Sequence, residues 1–148
     1  QQMNIHVLYG TETGNAEMVA DDIVDALSGD VTIESTDMSK FSVADLSTDV
    51  FYFIVCSTYG DGELPHSAQP FFEALNSQQP NLSGLQFAVF GLGDSFYETF
   101  NRGSEIIAQS LTQLGAEQVG ERGMHDASAG QLPGDIAMPW AKAVLSGL

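Results

Sequence analysis

Residues 5–16 read IHVLYGTETGNA, an apolar run that passes directly into a loop rich in glycine and hydroxyl groups. The apolar residues 5–9 predict a short β-strand that ends at Gly10. Beyond the loop, apolar residues recur every three or four positions over residues 16–27, with acidic residues on the other face, which predicts an amphipathic helix ended by residues 28–29. The chain therefore opens with a strand, a tight loop and a helix.

The same alternation of strand and helix continues along the chain. Apolar or alternating runs predict four more strands, at residues 31–36, 50–56, 85–90 and 118–121. Helical spacing predicts a short helix through Phe71, Phe72 and Leu75, a second over residues 102–114, and a closing helix with Pro139 near its start. Alternating strands and helices fold by right-handed crossovers, so we expect one α/β domain over residues 1–148, with a five-stranded parallel sheet and helices on both faces.

The composition favours a folded globular chain with a strongly acidic surface. Of the 148 residues, 43% are hydrophobic and 16% are charged, the opposite balance to that of a disordered chain. There are 20 acidic and 4 basic residues, which give a net charge of −16. Because nucleic acids and anionic membranes are bound through clusters of Lys and Arg, both are excluded as partners, and a basic protein is expected. The alternative is an acidic surface that serves solubility alone.

Cysteine and histidine usage limits the possible sites. Cys56 is the only cysteine and lies in an apolar run, so we expect a small core residue, no intrachain disulfide and a reducing compartment. The histidines at positions 6, 66 and 125 lack the spacing of metal ligands. No apolar stretch reaches the ~18 residues of a membrane span, and no basic leader precedes the first strand, so we expect a cytoplasmic monomer without a metal site.

The loops after the first, third and fourth strands are expected to carry the function, because ligands bind at the carboxyl ends of strands in an open parallel sheet. The first loop, residues 10–16 (GTETGNA), joins two glycines, hydroxyl groups and an amide to the start of a helix. Free N–H groups and the helix dipole favour a phosphate there without a cation. The loop is neither a Walker loop nor a dinucleotide fingerprint. A simple helix cap at Thr13 or Asn15 is the alternative.

Two further loops add glycines and aromatic rings. Residues 57–65 (STYGDGELP) carry Tyr59, and residues 91–101 (GLGDSFYETFN) carry Tyr97. Each tyrosine by itself is compatible with a surface turn or a core position. Together with the first loop, at one edge of the sheet, they predict a slot for a flat ring that carries a phosphate tail.

These three loops, in this order, resemble the three flavin-binding loops of the flavodoxin family. The likeness covers nearly the whole chain. It is closest to the FMN domains of cytochrome P450 reductase and sulfite reductase flavoprotein, and in size to the MioC-type short-chain flavodoxins. It implies a flavodoxin-like three-layer sandwich with strand order 2-1-3-4-5 and non-covalently bound FMN. It also implies a low-potential one-electron carrier that cycles through a neutral semiquinone.

The resemblance further implies a set of cofactor-binding residues. Those around the phosphate would be Thr11, Glu12, Thr13, Gly14, Asn15 and Ala16. One side of the isoalloxazine ring would be lined by Ser57, Thr58, Tyr59, Gly60, Asp61 and Gly62, and the other by Leu92, Gly93, Asp94, Tyr97, Phe100 and Asn101, with Asp126 as a looser match. Tyr97 and Tyr59 would stack on opposite faces of the ring. Asp94 and Thr99 depart from the reductase pattern, which has Asn and His there.

The expected partners are redox proteins with basic surfaces, with a flavodoxin or ferredoxin reductase as donor and a metalloenzyme as acceptor. Two alternatives stay open: an FMN-dependent NAD(P)H or quinone reductase, and the FMN domain of a larger diflavin reductase. A phosphorelay receiver shares the predicted fold, but it needs acidic residues after strand one and an Asp after strand three. Gly10 and Ser57 stand at those places.

Overall fold

The computed structural model describes residues 4–10, 15–29, 32–57, 68–93, 102–120, 123–126 and 133–146. The strands are β1 (Asn4–Gly10), β2 (Thr32–Asp37), β3 (Phe51–Ser57), β4 (Gln86–Gly93), β5 (Glu117–Gln118) and β6 (Gly123–Asp126). The helices are α1 (Asn15–Leu27), α2 (Gln69–Gln78), α3 (Arg102–Gln113) and α4 (Pro133–Ser146), and two short 3₁₀ helices span Met38–Lys40 and Val43–Asp45.

The strands form one parallel sheet in the order β2-β1-β3-β4-β5, with β6 also paired to β4. β5 pairs with the first residues of β4 and β6 with its last ones, so the two share the fifth position of the sheet. This confirms the expected order 2-1-3-4-5 and the parallel arrangement.

The fifth strand differs from its prediction. One strand was expected at residues 118–121, but the chain pairs with β4 through Gln118 and again through Gly123. The partners of these two residues, Phe87 and Phe90, lie closer together along β4, so the fifth strand carries two extra residues between its pairs. Gly120 has a φ of +71°, which interrupts an extended strand. The interruption divides the fifth strand into β5 and β6.

Alternate residues of the central strands enter two separate cores, because successive side chains of a strand point to opposite faces. On one face α1 and α4 cover Val7, Phe53 and Phe90. On the other face α2, α3 and the 3₁₀ helices cover Leu8 and Ile54. Residues 51–56 of β3 are hydrophobic or aromatic at every position because they are buried on both faces of the sheet.

The helices begin and end where local chemistry permits. Pro70 lies in the first turn of α2, and Gln79 ends that helix in the left-handed region with φ 45°, its N–H donating to the Leu75 carbonyl at 3.1 Å. The prediction that Pro139 lies near the start of the closing helix is wrong, because α4 begins at Pro133 and Pro139 lies inside it. No described helix is long and apolar enough to cross a bilayer.

Candidate functional site

Four strands end along one edge of the sheet. β1 ends at Gly10, β3 at Ser57, β4 at Gly93 and β6 at Asp126. The pairing is parallel throughout, so these are all carboxyl ends at the same edge. The three predicted binding loops leave the sheet from the first three of these ends, which is where an open parallel sheet binds its ligands.

The strand register places small residues side by side at this edge. Gly10 pairs with Cys56, Cys56 with Gly91, and Gly91 with Met124. Gly93 pairs with Asp126 two residues further along. Because glycine carries no Cβ, the chain that follows these strands is able to approach the sheet closely.

The start of α1 provides an anion site at the same edge. α1 begins at Asn15, and residues 11–14 join it to the end of β1. Its first N–H groups have no partner within the helix, and its dipole makes this end positive. The sequence of α1 contains Glu17 in its first turn and no Lys or Arg. An anion here would be held by backbone N–H groups and the dipole, which is the arrangement that suits a phosphate.

The structure places six of the predicted site residues at this edge or directly beside it. They are Asn15 and Ala16 at the start of α1, Ser57 at the end of β3, Leu92 and Gly93 at the end of β4, and Asp126 at the end of β6. The other predicted site residues lie outside the described residues: Thr11, Glu12, Thr13, Gly14, Thr58, Tyr59, Gly60, Asp61, Gly62, Asp94, Tyr97, Phe100 and Asn101.

Two of the described site residues are buried in the core. Ala16 is 0% exposed and Leu92 is 5% exposed, and both side chains belong to the core between the sheet and the α1–α4 layer. Their backbones remain at the carboxyl edge. They therefore offer backbone atoms, and not side chains, to a ligand.

Gly10 lies in unusually close contact with the start of α2. A Cβ built on Gly10 would lie 2.6 Å from the Ala68 Cβ and 3.2 Å from the Met38 Sδ. The first of these distances is shorter than real Cβ atoms approach, so no other residue fits at position 10 unless a neighbour shifts. The last residue of β1 and the residue before α2 therefore meet at the level of the backbone.

The electrostatics beside the anion site are negative. Burial raises the pKa of Tyr9, and the carboxylates of Glu17, Asp37 and Asp21 raise it further. Burial also raises the pKa of Asp22, which lies among other carboxylates of α1 and α4. An anion at the helix start would thus be opposed by these carboxylates, and among the described residues it would be held by the backbone N–H groups of α1.

Two other chemically notable residues do not form a reactive centre. Burial raises the pKa of the Cys56 thiol to about 12, so it is not a nucleophile at neutral pH. His6 lies within β1, where its Nε2 is 2.7 Å from the Thr36 hydroxyl and its Nδ1 is 3.4 Å from a Glu34 carboxylate oxygen. The described part of the chain contains no group of His, Cys, Asp and Glu able to hold a metal ion.

Sequence reasoning missed how β6 reaches the edge. Gly123 starts β6 against two rings of the α1–α4 core, because a Cβ there would lie 2.6 Å from Phe90 and 2.9 Å from the Trp140 indole nitrogen. Trp140 packs against Phe53 and Phe90 of the sheet, with ring centroids 5.5 and 5.3 Å away. The glycines at 120 and 123 were the available signal for a broken fifth strand.

Known proteins resemble this chain over most of its length. The sequence model of the Flavodoxin family matches residues 7–140. NADPH--cytochrome P450 reductase of Rattus norvegicus is 39% identical over 129 residues, which are 83% of this chain and 19% of the reductase. The chain thus spans about a fifth of the length of that relative. Protein MioC of Escherichia coli O157:H7 is 30% identical over 137 residues, which are 93% of this chain and 92% of MioC.

Solved structures agree with the sequence comparisons. A cysteine-to-serine mutant of flavodoxin from Pseudomonas aeruginosa is 34% identical and superposes with a TM-score of 0.84 over 99% of both chains. Oxidised flavodoxin 2 from Bacillus cereus is 29% identical, with a TM-score of 0.85 over 98% of this chain and 99% of that one. With the strand order, the glycine-lined carboxyl edge and the helix start beside it, these matches establish that the chain belongs to the flavodoxin family.

Proposed function

We propose that this flavodoxin binds FMN non-covalently at the carboxyl edge of its sheet and carries single electrons between partner proteins. The observation that carries the proposal is the meeting of three strand ends, two of them at glycine, with the start of α1 at one edge. The helix start suits the phosphate of FMN, in which a flat ring is joined to a phosphate. Family membership supports the same ligand.

Each part of the edge has its own role in this proposal. The N–H groups of residues 11–16 bind the phosphate, with Ala16 contributing through its backbone because its side chain is buried. Residues 57–62 and 92–101 line the two sides of the ring, where Tyr59 and Tyr97 stack on it. Leu92 contributes backbone atoms for the same reason as Ala16.

FMN, when bound, supplies the redox chemistry, and the protein sets how easily negative charge is added to it. The segment over residues 41–101 contains seven acidic residues and no Lys or Arg. A carboxylate about 8 Å away, at an effective dielectric of about 40, costs an added negative charge roughly 1 kcal/mol. For one electron that corresponds to roughly 40 mV. We therefore expect a low potential for the second electron.

The acidic surface also defines the partner in this proposal. A net charge of −16 speeds encounter with a basic redox protein and repels another acidic one. The chain offers no arginine cluster for the 2′-phosphate of NADPH, which favours a carrier that depends on partner proteins over an enzyme that oxidises NADPH itself.

A second candidate function is that of the electron-carrying domain of a larger reductase. The 39% identity to a reductase of which the chain spans 19% favours it. The match to MioC over 92% of that protein favours a carrier that is not part of a larger reductase. Both functions use the same site, so they differ in the partner and not in the chemistry.

Titration with FMN and with riboflavin tests the proposal. We expect a visible flavin spectrum and quenched flavin fluorescence with FMN, and much weaker binding of riboflavin because it lacks the phosphate. A protein that stays colourless in excess FMN would refute the function. Equal affinity for both flavins would refute the anion site. Steady NADPH oxidation by the protein alone would contradict the carrier role.

A docking experiment tests the partner. The rate of electron transfer from a basic flavodoxin-type reductase should fall as salt is added, because the charges that steer the encounter are screened within about 10 Å at 0.1 M salt. A rate that does not change with ionic strength would contradict a basic partner.

A further inference from the structure

We infer that Gly10 and Ala68 form a positioning contact for the flavin, which sets how closely the end of β1 approaches the start of α2. The inference rests on the proposed FMN function and adds to it two residues that do not themselves need to touch the cofactor. Both residues are described, and both are buried.

The two residues stand at the ends of the two loops. Gly10 is the last residue of β1, and the chain passes from it into residues 11–14 and then α1. Ala68 is the residue before α2, and residues 58–67 lead into it from the end of β3. Their contact therefore joins the entrance of the first loop to the exit of the second.

The contact is close enough to act as a spacer. A Cβ on Gly10 would lie 2.6 Å from the Ala68 Cβ and 3.4 Å from its Cα. It would also lie 3.2 Å from the Met38 Sδ, which belongs to the segment that follows β2. Neither Ala68 nor Met38 has any exposed surface, so neither moves aside into solvent.

Gly10 is fixed on one side of the contact by its pairing with Cys56 of β3. On the other side, Ala68 makes no side-chain cap bond, and its carbonyl accepts the helical N–H of Phe72 at 3.0 Å. A larger residue at position 10 would therefore press on Ala68 and on the first turn of α2.

Enlarging the residue at position 10 should change flavin binding more than it changes folding. Gly10→Ala should weaken FMN binding roughly tenfold or more, since a displacement of about 1 Å in a binding site has effects of that size. Ala68→Gly removes the Cβ that the new methyl group meets. The double variant Gly10→Ala/Ala68→Gly should therefore regain most of the wild-type affinity.

Two glycines elsewhere provide matched controls. A Cβ on Gly29 has nothing within 4 Å, so Gly29→Ala should change nothing. Gly115 has a φ of +109°, and a Cβ there would lie 2.9 Å from the Ser83 Oγ. Both residues lie near the amino end of β4, at the opposite end of that strand from the carboxyl edge. Gly115→Ala should lower the melting temperature of the apoprotein and leave the affinity for FMN unchanged.

The experiment measures FMN affinity, visible circular dichroism of the bound flavin and apoprotein melting temperature for wild type and all four variants. We expect weaker binding and an altered flavin dichroism in Gly10→Ala alone, with both restored in the double variant. Wild-type affinity in Gly10→Ala, or no recovery in the double variant, would overturn the inference while leaving the proposed function intact.

Two further outcomes concern a variant that does not fold and a wild-type protein that does not bind FMN. If Gly10→Ala does not fold, Ala68→Ser enlarges the other member of the same contact, and unchanged FMN affinity in that folded variant would also overturn the inference. If wild type itself does not bind FMN, the proposed function fails and this inference falls with it.

Discussion

Replacing Trp140 with alanine should destabilise the protein by about 3 kcal/mol. The indole of Trp140 packs on Phe53 and Phe90, with ring centroids 5.5 and 5.3 Å away and rings inclined by 65° and 54°. A fully buried Trp→Ala change costs ~3–5 kcal/mol, and each aromatic pair contributes ~0.5–1.5 kcal/mol. Trp140 is only half-buried, so the lower end of the range applies.

Urea denaturation of the apoprotein measures this loss as a lower midpoint at an unchanged slope. For a chain of this size, ~3 kcal/mol corresponds to a fall in melting temperature of roughly 6–12 °C. The control is Met18→Ala, since Met18 is 64% exposed and its removal should change stability by less than about 0.5 kcal/mol. A Trp140→Ala loss below about 1 kcal/mol, or equal to that of Met18→Ala, would refute the packing argument.

Three further predictions concern the region of β1, β3 and α2. Burial lowers the pKa of His6 below its ordinary 6.5, against the opposing effect of Glu34, so the folded state binds fewer protons. The contribution of His6 to the free energy of unfolding is therefore fully present above pH 6.5 and is lost as the pH falls below that value. His6→Gln should flatten the decrease of the urea midpoint between pH 7.5 and 5. An equal decrease in the two proteins would contradict this argument. Tyr52→Phe should lower the free energy of unfolding, measured in urea, by about 1 kcal/mol, because the Ser47 N–H donates to the Tyr52 hydroxyl at 2.9 Å. An unchanged free energy of unfolding would show that water replaces the lost hydroxyl. Gln79→Gly should raise the melting temperature, since it relieves roughly 0.5–1 kcal/mol of backbone strain in the left-handed region at φ 45°. A lower melting temperature would show that the contacts of the Gln79 side chain outweigh this strain.

The sequence predicted those parts of the fold whose signals are local. α1 was found because its apolar residues form one stripe and the chain leaves that stripe at residues 28–29. β3 was found because its residues 51–56 are buried on both faces and are therefore hydrophobic or aromatic. The carboxyl edge followed from these elements, since parallel strands must end together there.

The parts that the sequence did not predict depend on tertiary contacts. The split of the fifth strand is set by its pairing with β4, which no short stretch of sequence reveals. Pro139 looked like a helix start because a proline within a helix costs about 3 kcal/mol. In α4 that cost is offset by the burial of Ala137, Ala141 and Val144 against the sheet, which local reasoning does not count.

The candidate site shows the same division. That the loops leave the sheet at its carboxyl edge was predictable, and Ser57, Gly93 and Asp126 lie where they do so. That Leu92 offers only its backbone was not predictable, because which face of β4 it occupies depends on the register of the whole sheet. The Gly10–Ala68 contact joins residues that are distant in the sequence, so no motif marks it.

The reactivity of the buried Cys56 thiol reports local opening of the sheet. Cys56 lies one residue before the end of β3 and is 0% exposed, and its high pKa makes it unreactive toward alkylating and disulfide reagents while the sheet is intact. A thiol reagent will therefore modify it at the rate at which the centre of the sheet becomes accessible, without any engineered label. Cys56 pairs with Gly10 and Gly91, so it lies beside the strand ends where FMN is proposed to bind. A slower rate of thiol modification after FMN is added would therefore report binding without a change of sequence.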